Sequence, residues 1–164
     1  MDLKQLADEI DYLKKRLANL EHKKLNETER FEVEVPDDIE TYYTINTRGE
    51  LQILSFYSRS IQEEIYKRGE AFEISDNALL NNKEKILLKK LEDWAKKYNE
   101  GWTPNWEDIK EEKWSVMYDD KNKELETYVN YKKQDFLKLP YFKSEEIARE
   151  FIDEFGDEIK EVLL

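Results

Sequence analysis

The chain has 164 residues with 39 Asp or Glu against 27 Lys or Arg, so its formal net charge is −12. It has no Cys and only one His, which excludes disulfides, zinc–thiolate sites and cysteine nucleophiles and argues against His-based catalysis and most transition-metal sites. Aromatic residues make up 13%, more than a disordered composition carries, so we expect a folded core. No apolar run is long enough for a membrane span and no signal-peptide core is present, so we expect a cytoplasmic protein with no membrane partner.

Residues 1–25 carry a heptad pattern of apolar residues. The a and d positions alternate at spacings of three and four: Leu3, Leu6, Ile10, Leu13, Leu17 and Leu20. In a parallel homodimer, the flanking pairs Glu9–Lys14 and Arg16–Glu21 would both be attractive. The pattern predicts a coiled-coil helix that dimerises through this seam. The alternative is an amphipathic helix folded back on its own domain.

Residues 26–40 are predicted to be a linker with an edge strand at Phe31–Val35, where apolar and acidic residues alternate until Pro36. Thr41–Ile45 and Leu51–Tyr57 are rich in β-branched and aromatic residues and flank a turn, so they predict a hairpin. A short strand over 71–74 and a long helix over 76–99 should follow, with Ser75 or Asp76 as its cap.

The second half of the body repeats this order of elements. A loop over 100–112 precedes a second hairpin, 113–118 with 124–131, then a short strand over 140–143 and a helix capped by Ser144 and broken at Gly156.

Equivalent residues of the two halves lie at nearly constant separations. Tyr43 and Trp114 are 71 residues apart, Phe72 and Phe142 are 70 apart, and Ser75 and Ser144 are 69 apart. The pattern predicts an internal duplication of two ββ(β)α units, 41–100 and 113–164, within a body spanning 41–164. We expect an α+β fold with the strands in one antiparallel or mixed sheet and the helices on one face.

The acidic charge is concentrated towards the C-terminus. Residues 1–30 are neutral overall, so the rest carries the whole −12, and residues 144–164 alone hold eight acids against two bases. This charge disfavours direct nucleic-acid binding and favours a basic protein partner. The residues proposed to bind a partner are Glu145, Glu146, Glu150, Asp153 and Glu154, together with Trp102 and Trp106 if their rings are exposed. Buried, the two Trp would instead fix their loop over the core.

No residue set predicts catalysis, a metal site or a cofactor. The four Gly are isolated, so there is no phosphate-binding loop, and the one His cannot form a Ser–His–Asp set with any Ser. Neighbouring acids such as Glu107 with Asp108 and Asp119 with Asp120 are expected by chance in so acidic a chain. A hydrolase with a carboxylate-bound metal would need two or three of them to converge in one cleft.

Three segments carry a resemblance: Gly101–Trp106, Lys113–Asp120 and Phe142–Ala148, the last with the letters FKSEEIA. They resemble segments of small acidic proteins of phages and prophages of Gram-positive bacteria, in which hairpin–helix units are duplicated. The resemblance covers roughly residues 41–160 and leaves out the heptads. The chain departs from that pattern at Asp76–Ala78, where a Glu-Glu-Ala helix start would be expected. The resemblance implies a phage context in a bacterial host and no mechanism.

Together these features predict a phage-type, non-enzymatic protein-binding factor. It would dimerise through residues 1–25, and its acidic body would engage a host protein. A host nucleic-acid-binding or defence protein fits best, because an acidic surface can occupy a groove built for phosphates. The alternatives are a structural or assembly adaptor in which the coiled coil is the active part, and the metal-dependent hydrolase.

Overall fold

The computed structural model describes residues 3–28, 32–131 and 137–164. Over these residues the chain is a mixed α+β protein with four α-helices and two antiparallel sheets of two strands each. The chain divides into two compact units, Met1–Asp37 and Asp38–Leu164. The predicted α+β class is therefore confirmed, and the division falls inside the predicted linker.

The first unit contains helix α1, Leu3–Thr28. Leu, Lys, Glu and Ala, all good helix formers, dominate its sequence. The predicted edge strand after it is wrong where it can be assessed, because residues 32–35 have no strand structure and Phe31 lies outside the described residues. Alternation of apolar and acidic residues does not by itself make a strand, because a strand also needs a partner edge. Val33 is exposed here.

The second unit begins with a small hairpin, two 3₁₀ turns and a short helix. A 3₁₀ turn, Ile39–Thr41, leads into strands β1 (Tyr43–Ile45) and β2 (Leu51–Ile53), which pair with Tyr43 opposite Ile53. Strand β2 ends earlier than predicted and passes into a second 3₁₀ turn, Leu54–Phe56, and then into helix α2, Arg59–Lys67. The reason is local: the buried Gln62 amide donates to the carbonyls of Leu54 and Tyr57, which holds this segment against α2.

Helix α3 spans Ser75–Tyr98. The residue at its N-cap is Ile74, and no side chain accepts a capping hydrogen bond there, so the predicted cap at Ser75 or Asp76 is wrong. The chain leaves the helix through Glu100 and Gly101, both with positive φ, and Gly101 adopts this conformation without Cβ strain.

Strands β3 (Lys113–Asp119) and β4 (Glu124–Asn130) form the second hairpin, and helix α4 spans Glu145–Leu163. The predicted Ser144 cap is confirmed, because its Oγ accepts a hydrogen bond from the Ile147 amide. The predicted break at Gly156 is wrong. The helix continues through this buried Gly, so packing outweighs its low helix propensity.

The main core joins α3, α4 and the second hairpin. Its buried members are Leu87, Leu91, Ala95, Val116, Phe142, Ala148, Phe151, Phe155 and Ile159. Trp94 of α3 packs edge-to-face against Phe151 and Phe155, with ring centroids 5.6 and 5.8 Å away. Burial of these aromatic rings fixes the two helices against each other.

The predicted single sheet is wrong, because the two hairpins are separate sheets over the described residues. The predicted short strands over 71–74 and 140–143 are each replaced by one isolated bridge. The first hairpin bridges the segment that precedes α3, and the second hairpin bridges the segment that precedes α4. Tyr43 exchanges two backbone hydrogen bonds with Phe72 (2.7 and 2.9 Å), and Trp114 exchanges two with Phe142 (3.0 and 2.8 Å). Each bridge joins a hairpin to a segment of its own half, so neither bridge joins the two hairpins into one sheet.

Candidate interaction surfaces

The seam of α1 is an exposed apolar stripe. In a single chain the exposed fractions are 46% for Ile10, 56% for Leu13, and 57% for both Leu17 and Leu20. The charged side chains predicted to pair across a dimer are exposed as well: Glu9, Lys14, Arg16 and Glu21. Leu3 and Leu6 lie in α1, but their side chains are outside the described residues. Most helical stability in proteins comes from packing of an amphipathic face, so burial of this stripe would stabilise α1.

The loop that carries the two Trp is built around a buried lysine. The side chain of Lys113 is fully buried, and its Nζ donates to the backbone carbonyls of Asp108 and Glu111, both at 2.9 Å. The same nitrogen lies 3.1 Å from the Glu111 carboxylate and 5.5 Å from the centroid of the Trp106 ring. A buried charge needs such partners, because desolvation otherwise disfavours it.

Glu111 collects hydrogen bonds from three directions. Its carboxylate accepts from the Trp102 indole at 3.0 Å and from the Asn105 amide at 2.8 Å, in addition to Lys113. Burial raises the pKa of Glu111, but the donors at Asn105, Lys113 and Trp102 outweigh it, so the pKa lies below its ordinary value. The loop is therefore fixed from within.

Neither predicted Trp projects freely from this loop. Both rings are half-buried, and Trp106 packs edge-to-face on Tyr141 with ring centroids 5.1 Å apart. Their interactions within the chain favour the role of holding the loop. Sequence reasoning missed Lys113, because a lysine at the start of a strand, beside two Glu, is ordinarily a solvated residue.

The acids predicted to bind a partner all lie in the first half of α4. Glu145 is ion-paired with Arg149 at 2.5 Å, and Glu146 has a lowered pKa because its carboxylate accepts from its own backbone amide and from Ser144 at the helix start. The other three, Glu150, Asp153 and Glu154, are exposed.

A groove of about 550 Å³ runs between β4 and α4. Its half-buried apolar lining consists of Trp114, Leu125 and Ile152. Its charged and polar lining consists of Glu124, Glu126, Thr127, Glu145, Arg149 and Asp153. The structure thus brings Glu145 and Asp153 to the groove, whereas Glu146, Glu150, Glu154 and the two Trp do not line it. Sequence reasoning missed the β4 acids, because placing them beside α4 requires the packing of hairpin on helix.

Among residues 3–28, 32–131 and 137–164, no group of three or more His, Asp or Glu side chains could hold a metal ion. In the same residues, no helix is both long and apolar enough to cross a membrane.

Comparisons with known protein families, with curated proteins and with solved structures find no match to this chain.

Proposed function

We propose that the chain is a phage-type protein-binding factor that acts by contact, as a parallel homodimer joined through α1. The observation that carries the proposal is the exposed seam of Ile10, Leu13, Leu17 and Leu20. Four large apolar side chains at a and d spacing on one helix are typical of a coiled-coil interface. A scattered exposed Leu needs no explanation, but an ordered stripe of this kind does.

The charge distribution supports a basic protein partner. Residues 31–164 hold 20 Lys or Arg and 32 Asp or Glu, so this part of the chain repels phosphate backbones and attracts cationic surfaces. We propose a host nucleic-acid-binding or defence protein in the bacterial cytoplasm as the partner, since such proteins carry grooves built for phosphates.

The recurrence of one local arrangement supports the proposed duplication. In each half, a residue near the start of the hairpin bridges a Phe that precedes the helix, and the Ala six residues after that Phe is fully buried. Phe72 with Ala78 and Phe142 with Ala148 give a common separation of 70. The same separation pairs Ser144 with Ile74 and not with Ser75, which explains why α4 has a side-chain cap and α3 does not.

Capture from lysate of a Gram-positive host, with a salt series, tests this function. The bait is the full chain, compared with a seam variant that carries Leu13→Glu and Leu17→Glu. A control variant carries Ala18→Glu and Asn19→Glu, which add the same charge outside the seam.

We expect a basic protein to be retained at low salt and lost as salt rises, because exposed charges are screened. The seam variant should retain the partner with lower apparent affinity, since it loses the second binding site. Salt-independent capture would contradict the acidic-surface proposal. Complete loss of the partner in the seam variant alone would favour the adaptor alternative, in which the coiled coil is the active part.

A further inference from the structure

The groove between β4 and α4 differs from the rest of the acidic surface because it combines charge with an apolar lining. The exposed acids Glu124, Glu126 and Asp153 stand beside the half-buried Leu125 and Ile152. One lining carboxylate, Glu145, is already paired with the one lining cation, Arg149. Three acids therefore remain for a ligand, and the apolar lining gives its aliphatic groups a place to bury.

The groove lies next to a strand edge that is open over the described residues. Strand β4 pairs with β3 alone, and the backbone of residues 124–129 makes no hydrogen bond to any other described segment. An unpaired edge offers a row of amides and carbonyls to an extended segment.

The alternation of β4 determines what such a segment must look like. Thr127 lies opposite Val116, which is in the core, so Thr127 and Leu125 point to the side of the hairpin that faces α4. Glu124 and Glu126 alternate with them and point to the other side. Residues of an added strand would alternate in the same way. Those beside Glu124 and Glu126 should be Lys or Arg, and those beside Leu125 and Thr127 should be aliphatic.

The register that would bring the acids of two β4 copies together is disfavoured. Antiparallel pairing centred on Leu125 would place Glu124 of one copy opposite Glu126 of the other, and like charges directly opposite each other are destabilising. The charge complementarity instead selects a cationic partner.

We propose that the groove between β4 and α4 binds an extended segment of a partner protein, with Lys or Arg alternating with aliphatic residues, as a third strand on β4. This proposal rests on the proposed function and assigns its partner contact to one edge and one chemistry.

Fluorescence anisotropy with the full chain tests it, using a labelled heptapeptide of sequence Lys-Val-Lys-Thr-Lys-Val-Lys. Three matched peptides serve as controls: one with Glu in place of every Lys, and two with the same side chains but N-methylated on one or the other set of alternate backbone amides. We expect the cationic peptide to bind and the acidic one not to bind. Because an added strand donates hydrogen bonds to β4 from only one set of alternate amides, one of the two N-methylated peptides should bind at least tenfold more weakly than the cationic peptide.

Variants locate the site. Glu124→Lys combined with Glu126→Lys should weaken peptide binding at least tenfold, whereas Glu161→Lys, an exposed acid of α4 outside the groove, should change it less than twofold. Equal weakening by Glu161→Lys would overturn the proposal. Full affinity of both N-methylated peptides would overturn it as well.

The outcomes separate this inference from the proposed function. A chain that dimerises and captures a basic protein, yet does not bind the peptide, would overturn the groove assignment alone. A monomeric chain that binds the peptide as a third strand would support the groove and overturn the dimeric factor.

Discussion

Replacing Lys113 with Met removes the ammonium group that holds the loop carrying Trp102 and Trp106. The replacement keeps an unbranched side chain of similar length. In the native chain, this fully buried group donates to the carbonyls of Asp108 and Glu111 and pairs with the Glu111 carboxylate. Met can fill the space but can donate no hydrogen bond, so both carbonyls lose a donor.

The cost follows from these contacts. Each carbonyl left without a donor costs about 1 kcal/mol, the lower end of the usual range because these bonds are only partly buried. The lost ion pair adds roughly 1 kcal/mol and not the larger cost of an orphaned buried charge, because Glu111 is 25% exposed and keeps its bonds to Trp102 and Asn105. We expect the free energy of unfolding to fall by about 2 to 3 kcal/mol in total.

Urea unfolding followed by Trp fluorescence and by circular dichroism measures this change. The matched control is Lys110→Met, an exposed lysine of the same loop, which should leave the unfolding midpoint unchanged. A cycle with Glu111→Gln should show non-additive effects, since the two side chains are in contact. If Lys113→Met had no larger effect than Lys110→Met, the argument that a buried lysine organises the loop would be refuted.

Three further predictions concern single residues. The lowered pKa of Glu111 implies stability that is present above its ordinary value of 4.5 and lost as the pH falls through the folded value, so Glu111→Gln should flatten the acid limb of a pH–stability curve. Gly156→Ala should stabilise the chain by about 0.5 to 1 kcal/mol in thermal unfolding, because an added Cβ meets only ordinary contacts, whereas Gly101→Ala should destabilise it because φ is +82°. Phe142→Ala should cost about 3 to 5 kcal/mol in urea unfolding, and Phe72→Ala clearly less, because only the first ring is fully buried; equal costs would contradict this difference.

Much of the secondary structure follows from local sequence. Helical periodicity predicted α1, α3 and α4, and alternation around polar turns predicted both hairpins, because these signals arise within a few turns of chain. The short segments failed. Whether residues 32–35 or 71–74 form a strand depends on a partner edge that no local pattern specifies. The continuation of α4 through Gly156 depends on packing that buries this residue.

The candidate sites follow the same division. The seam of α1 could be read from spacing alone, since a and d positions recur along one helix. The groove could not, because Glu124 and Glu126 lie 19 to 29 residues before Glu145 and Asp153 and meet them only when the hairpin packs on α4. The burial of Lys113 was equally hidden, since its partners are mainly backbone carbonyls of its own loop.

Sedimentation equilibrium of the full chain tests the dimer through α1 most directly. At tens of micromolar we expect a mass twice that of the 19.9 kDa chain. The variant with Leu13→Glu and Leu17→Glu should sediment as a monomer with its body still folded, and the variant with Ala18→Glu and Asn19→Glu should remain a dimer. A wild-type chain that stays monomeric at this concentration, or a seam variant that dimerises as well as the control, would contradict the account.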